Sequence, residues 1–304
     1  MRGTSVSVLI PAFDEAEGIR SVVEGVLAHQ PGAEVVVCDD GSSDGTAAAL
    51  DGLPVRIVQH RVNRGYGAAW KTLAEHATGR TIVFFDGDGQ FDPADIARVL
   101  DAFEAGGHDL VSAARTGGAG RPIGRRPGKW ILRRFANWFS PAPIPDVNCG
   151  LRVFDREAFL PYLPLLPDGF SCSTTSLLAY FATGRDVGFV DIDVRRRIGT
   201  SSVRMLRDGF GTLLLILRLT VLLSPMRVFL PTSLLFLMTG IVYSVWEAVA
   251  SGLGVPVLGA TLVINGVVVF LFGLLSDQVS ALRLERLRLR PRESRELQGP
   301  AGTR

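Results

Sequence analysis

The sequence predicts an α/β fold, a mostly parallel sheet continued by interfacial helices and two transmembrane helices, and three observations predict it. Strand-length apolar runs alternate with helix-periodic segments through the first ~115 residues, the pattern of a parallel sheet. Each run stops at a loop carrying Asp, Gly, Pro or Arg, and such loops gather ligands at the carboxyl edge of an open sheet. Residues 228–276 hold a single charged residue, Glu247. It divides them into two halves, each able to supply the ~20 apolar residues of a bilayer span.

The elements follow in order. Val6-Ser7-Val8-Leu9-Ile10 reads as the first strand, and residues 15–28 as a helix with Ile19, Val22, Val23, Val26 and Leu27 at helical spacing. Residues 34–38 form the second strand, ending in Asp39-Asp40-Gly41-Ser42-Ser43-Asp44-Gly45-Thr46. A third strand at 56–60 leads through Asn63-Arg64-Gly65-Tyr66-Gly67 into a helix at 68–77. The fourth, Thr81-Ile82-Val83-Phe84-Phe85, ends in Asp86-Gly87-Asp88-Gly89-Gln90. Pro93 then opens a helix at its favoured first-turn position, and 109–113 is a fifth strand. Residues 116–145 loosen into Gly, Pro and Arg, and 151–154 and 187–194 read as further strands.

The acidic pentapeptide is the first candidate for chemistry. Two carboxylates at a strand's carboxyl end can hold a hard divalent cation through oxygen and leave positions open for phosphate. A calcium loop fails on spacing, because Gln90, Phe91 and Ala97 stand where such a loop needs an oxygen ligand, Gly and Glu. A dinucleotide-binding oxidoreductase fails as well, since Pro11-Ala12-Phe13-Asp14 replaces the glycine-rich turn after the first strand.

Charge is nearly balanced at +2 overall but unevenly placed. Arg204, Arg207, Arg218 and Arg227 precede the first span, and Arg283, Arg286, Arg288, Arg290 and Arg292 follow the second. The loop near Ser251 to Pro256 has neither Lys nor Arg. By the positive-inside rule the N-terminal α/β region and both termini are cytoplasmic. The first apolar run is strand-length and ends at Pro11, which is too short for a signal peptide. Arg121, Arg125, Arg126, Lys129, Arg133 and Arg134 interleave with Trp130, Phe135, Trp138 and Phe139, a mixture suited to a lipid headgroup interface rather than nucleic acid. Cys38, Cys149 and Cys172 lack Cys-x-x-Cys spacing, so disulfides and zinc are not expected. Gly252, Gly259, Gly266 and Gly273 recur every seven residues, placing the last three on one helix face for close packing, with Asn265 available to hydrogen-bond across helices.

Taken together, the chain resembles the family 2 glycosyltransferases of GT-A (Rossmann-like) fold, and among them the polyprenyl- and dolichyl-phosphate mannose or glucose synthases. The resemblance rests on residues 10–19, 37–46, 63–68 and 85–90, on Asp146-Val147-Asn148-Cys149-Gly150-Leu151-Arg152, and on Arg196-Arg197-Ile198-Gly199-Thr200-Ser201, all in family order. It implies a GT-A domain over 1–203, a juxtamembrane interfacial helix over 204–226, a transmembrane hairpin over 227–277 and a basic tail over 278–304. It further implies a nucleotide-diphosphate sugar, GDP-mannose or a UDP-sugar, bound by Pro11, Ala12, Glu15, Asp39, Asp40, Gly65, Asp86 and Gly87. Mg²⁺ or Mn²⁺ would be held by Asp86, Asp88 and Gln90. The acceptor, a polyprenyl phosphate at the cytoplasmic face, would attack with inversion, its phosphate cradled by Arg115, Arg133, Arg134, Arg152, Arg196, Arg197 and Ser201. Arginine's planar fork suits phosphate oxygens. Asp86, Asp88, Arg115, Asp146 and Arg152 form the catalytic set so implied, with Asp146 either a base or an anchor for its loop.

Two positions depart from the family pattern. Asp14 replaces an Asn and Ser202 replaces a Lys, which leaves the base and one phosphate contact unassigned. Transfer to a lipid hydroxyl, or an inactive nucleotide-sugar-binding adaptor, are the alternative readings, and homo-oligomerisation is left open. A processive polysaccharide synthase would need a Gln-x-x-Arg-Trp segment that this chain lacks.

Overall fold

The structure, a computed structural model, describes residues 5–115, 144–194, 217–218, 221–252, 254 and 256–288. Its first part is one seven-stranded sheet. Strands β1 (Val6–Ala12), β2 (Glu34–Asp39), β3 (Arg56–Gln59), β4 (Thr81–Phe84), β5 (Leu110–Arg115), β6 (Arg152–Asp155) and β7 (Val187–Ile192) lie in the order β3-β2-β1-β4-β6-β5-β7. All pairings are parallel except those of β6, which is antiparallel to both β4 and β5.

The sheet carries helices on both faces, so its strands read as near-continuous apolar runs. Alternate residues feed two cores. Val8, Ile10, Val35, Val37, Val83, Phe85 and Val153 meet α1 (Ile19–His29) and α3 (Asp95–Gly106). Leu9, Val36, Cys38, Ile82, Phe84 and Phe154 meet α2 (Tyr66–His76) and α5 (Cys172–Ala182). Trp70 stacks on Phe84 with centroids 3.8 Å apart at the centre of that second core. A short helix, α4 (Arg156–Phe159), follows β6 and is capped by the Asp155 side chain.

Boundaries shift from the sequence reading where loop bonds intervene. Helix α1 begins at Ile19 because Glu15 O first accepts from Gly18 N–H and Ile19 N–H, closing a turn. Pro93 lies outside α3, which begins at Asp95 after Ala94. The antiparallel direction of β6 is the main topological departure from an all-parallel sheet.

Beyond the sheet, α6 (Met226–Ser251) and α7 (Val257–Arg288) pack side by side. Both are long and apolar enough to cross a membrane, with mean hydropathy 1.9 and 2.4 over the most apolar 18 residues of Met226–Ser251 and Val257–Glu285. Gly259, Gly266 and Gly273 all face α6: a Cβ on each would press on Ser244, Leu237 and Phe229 respectively. Gly252 instead ends α6 at φ +66°, a left-handed position suited to glycine. Asn265 is exposed on the outer side of α7, so it does not bridge the two helices. At the base of the hairpin, Ser280 Oγ donates to Leu222 O at 2.6 Å, while Leu223 and Leu284 join the α2/α5 core. The interfacial helix expected over 204–226 falls largely outside the described residues. Helix α7 runs to Arg288, into the stretch expected as a basic tail.

Candidate active site

From β1 the chain steps to β2 and β3 on one side, then returns to place β4 on the other. The carboxyl ends of β1 and β4 therefore flank the switch point where open α/β sheets bind ligands. Asp86 lies two residues past the end of β4 and, like Asp88 and Gln90, is half-buried. Gly87 lies against β1: an added Cβ would sit 3.1 Å from Pro11 O and 2.9 Å from Ile19 Cδ1. Because β6 runs antiparallel, the loop entering it arrives at the same edge, with Arg152 in register with Phe84 and Ser112. Gly150 of that loop is pressed to Asp86 so closely that any Cβ would collide with the carboxylate.

The loops after β1 and β2 are laced together. Asp14 N–H donates to Ser42 Oγ at 3.0 Å and Asp14 Oδ1 accepts from Ser43 N–H at 2.9 Å, while Glu15 N–H donates to Thr46 Oγ1 at 2.9 Å. Asp14 adopts φ +51°, a conformation that Asp and Asn tolerate better than most residues. Pro11 and Ala12 are buried at the end of β1, with Ala12 in register with Asp39.

Asp39 and Asp40 are also buried, and their carboxylates have structural partners. Asp39 accepts from Ser42 N–H and Gln59 Nε2 at 2.9 Å each. Asp40 pairs with His60 Nδ1 at 2.6 Å and accepts from Arg64 N–H and Gly65 N–H at 2.9 and 2.8 Å. Asp40 thus anchors the 63–65 turn. Gly65 turns at φ +103° to start α2. The N–H groups of Gly67 and Ala68 are taken by Asp168 O, so that helix end is covered by the 167–169 segment.

At the end of β5, Arg115 meets Asp146 in a two-pronged pair, Nε to Oδ2 at 2.5 Å and NH2 to Oδ1 at 3.0 Å. Burial pushes the Asp146 carboxyl up, but the Arg115 hydrogen bonds and charge, with Asn148 N–H, outweigh it and hold the group below the usual carboxylate range. A carboxylate in that state is a weak proton acceptor. Arg152, expected to cradle phosphate, is instead fully buried and donates to Ser173 O, to Ser176 Oγ at 3.0 Å and to Val147 O at 2.9 Å. Desolvation lowers its pKa, although a guanidinium stays charged in a protein. Its charge lies beneath the site and stitches the 147–151 loop to α5. Arg133, Arg134, Arg196, Arg197 and Ser201 lie outside the described residues.

The sequence reading passed over three contributors. Tyr66 donates to Asp86 Oδ1 at 2.5 Å, and Phe170 stacks on Tyr66 with centroids 5.3 Å apart. Enclosure of the hydroxyl, then the Asp86 charge, raise the Tyr66 pKa well above its ordinary value, keeping it a donor. Gly150 is the third. Tyr66 and Gly150 stood inside quoted motifs, but only a tertiary contact gives either a role.

The donor set fits a divalent cation shared with a phosphorylated ligand. No group of three His, Cys, Asp or Glu side chains able to hold a metal ion by itself exists among the described residues. One or two carboxylates plus substrate phosphates and waters is how Mg²⁺ is usually held.

Residues 7–162 match the model for glycosyl transferase family 2, and residues 224–282 match that for the GtrB C-terminal hairpin. The glycosyltransferase AglJ of Haloferax volcanii is 25% identical, covering 93% of this chain and 96% of its own. Polyprenol monophosphomannose synthase of Mycolicibacterium smegmatis is 34% identical over 49% of this chain and 61% of the relative. Dodecaprenyl-phosphate galacturonate synthase of Rhizobium johnstonii is 27% identical over 51% of this chain and 48% of the relative. Among solved structures, glucosyl-3-phosphoglycerate synthase from Mycobacterium tuberculosis, in complex with Mn²⁺, UDP and phosphoglyceric acid, shares the fold. Its TM-score is 0.57 at 22% identity, covering 70% of this chain and 78% of that one. With half of its length matched by the family model and the acidic loop at the sheet's switch point, the chain belongs to glycosyl transferase family 2.

Proposed function

We propose that this glycosyltransferase moves a single sugar from a nucleotide-diphosphate sugar, GDP-mannose or a UDP-sugar, to a polyprenyl phosphate at the cytoplasmic membrane face, inverting the anomeric carbon. The polyprenyl-phosphate relatives and the apolar hairpin support a lipid-borne acceptor. The observation that carries the choice of phosphate is the Arg115–Asp146 pair. A lipid hydroxyl needs a base to take its proton, and the Asp146 carboxylate is bound and weakly basic. A phosphate monoester is already anionic near neutral pH, so it asks no proton abstraction of Asp146.

In this reading Pro11, Ala12, Glu15 and Asp39 border the base and ribose, and Asp40 acts through the Gly65 turn. Gly87 lets the diphosphate approach the backbone. Asp86 and Asp88, with Gln90, hold Mg²⁺ or Mn²⁺; that cation, when bound, supplies Lewis-acid neutralisation of charge on the departing nucleoside diphosphate. Arg115 is assigned to the acceptor phosphate, and Arg133, Arg134, Arg196, Arg197 and Ser201, outside the described residues, are assigned to it by the family resemblance. Arg152 braces the floor under Asp86. The catalytic domain and both termini lie on the cytoplasmic side, following the arginine bias.

The test is incubation of membranes containing the protein with a panel of labelled nucleotide sugars, with and without polyprenyl phosphate, followed by mass analysis of the lipid product. A glycosyl phosphoprenol formed only when polyprenyl phosphate is added is the expected result. A diacylglycerol glycoside formed without it would overturn the choice of acceptor.

A further inference from the structure

Tyr66 is the first residue of α2, and its position is set from several directions. Asp40 holds the backbone just before it through Arg64 N–H and Gly65 N–H, and Asp168 O holds the backbone just after it through Gly67 N–H at 2.7 Å. The ring is stacked on Phe170 at an interplanar angle of 19°. All this places the hydroxyl 2.5 Å from Asp86 Oδ1, while the side of Gly150 where a Cβ would stand faces Oδ2 of the same carboxylate most closely.

We propose that Tyr66 is a positioning residue for the divalent-cation site: its hydroxyl, acting on one oxygen of Asp86 while Gly150 limits the other, sets the carboxylate's rotation for the incoming ion. This rests on the reading of Asp86 and Asp88 as the cation's ligands. A phenolic O–H donates to one oxygen only, so it chooses an orientation where a free carboxylate would sample many. Ligating carboxylates are commonly oriented by such outer partners, and losing one weakens metal affinity about 10- to 100-fold. The same residues link the two halves of the crevice. Asp40, on the nucleotide side, fixes the Gly65 turn, the turn fixes Tyr66, and Tyr66 fixes Asp86.

The experiment is Mn²⁺ binding to the full-length protein in detergent, read by electron paramagnetic resonance of the free ion, for wild type, Tyr66→Phe and Asp88→Ala, with and without UDP or GDP as probe. Phe keeps the ring and its stacking. Tyr66→Phe is expected to bind Mn²⁺ about 10- to 100-fold more weakly, and excess Mn²⁺ to restore its turnover. Wild-type affinity in Tyr66→Phe alongside lost binding in Asp88→Ala overturns the role of Tyr66 alone. No Mn²⁺ binding by wild type under any condition overturns the cation reading and this inference with it. Should Tyr66→Phe not fold, Phe170→Ala takes its place: a smaller shift in the same direction is expected, and an unchanged affinity overturns the proposal.

Discussion

Arg115 and Asp146 join the end of β5 to the loop that enters β6, through two hydrogen bonds of 2.5 and 3.0 Å. Removing one partner of a pair this enclosed leaves the other without its counter-charge. Side-chain exposures of 27% and 14% temper the cost. Asp146→Ala is expected to lose about 2 kcal/mol of stability, less than the 3–5 kcal/mol of a fully buried pair. Denaturant titration in detergent measures it, and an unchanged midpoint would refute the structural role.

The same pair predicts a pH dependence. Asp146 has a folded pKa below its unfolded value, so its contribution is present above about pH 4 and fades as pH falls through the depressed folded value. Wild type should lose stability on acidification in that window, and Asp146→Asn should lose less. The pH–rate profile should show no limb between about pH 5 and 8 that Asp146→Asn removes; such a limb would make Asp146 the base.

Asp88→Ala is expected to abolish transfer while leaving folding and membrane insertion intact. Chelation of divalent ions in the wild type should do the same, reversed by adding Mg²⁺ or Mn²⁺. Full activity in either case contradicts a cation at the β4 edge.

Gly150→Ala should be nearly as damaging as loss of the carboxylate, because its methyl would occupy space filled by Asp86. We expect turnover to fall at least tenfold and stability to fall about 1–3 kcal/mol from overpacking. Wild-type turnover would show that the loop moves away from Asp86 at no cost.

In the hairpin, Gly266→Leu should force α6 and α7 apart, since even a Cβ at Gly266 would lie 2.7 Å from Leu237 Cγ. Protease resistance of the hairpin should fall while nucleotide binding by the sheet domain persists. Asn265→Leu, on the exposed side of α7, should leave that resistance unchanged.

Particular elements show what local sequence can reveal. Strands β1, β2 and β4 are legible because both faces are buried, which demands uninterrupted apolar residues such as Val8, Leu9 and Ile10. The hairpin is legible because a bilayer constrains composition alone. Strand β6 reads as a strand, but its direction is set by pairing with β4 and β5, distant in sequence.

The site divides the same way. Residue type and order at strand ends pointed to Asp86 and Asp88 as candidates for chemistry, and the family resemblance added Asp146. They could not tell a carboxylate turned to a ligand from one turned to its own chain. Asp40 is consumed by His60 and the Gly65 turn, Arg152 by α5 and the 147–151 loop, and Tyr66 gains its importance only by reaching Asp86. Sequence by itself determined the family, the sheet-plus-hairpin plan and the acidic edge, because periodicity, composition and ordered motifs are local properties of the chain. Tertiary structure decided which charged groups face the crevice, because orientation depends on contacts between segments far apart, where a few tenths of an ångström separate a hydrogen bond from a clash.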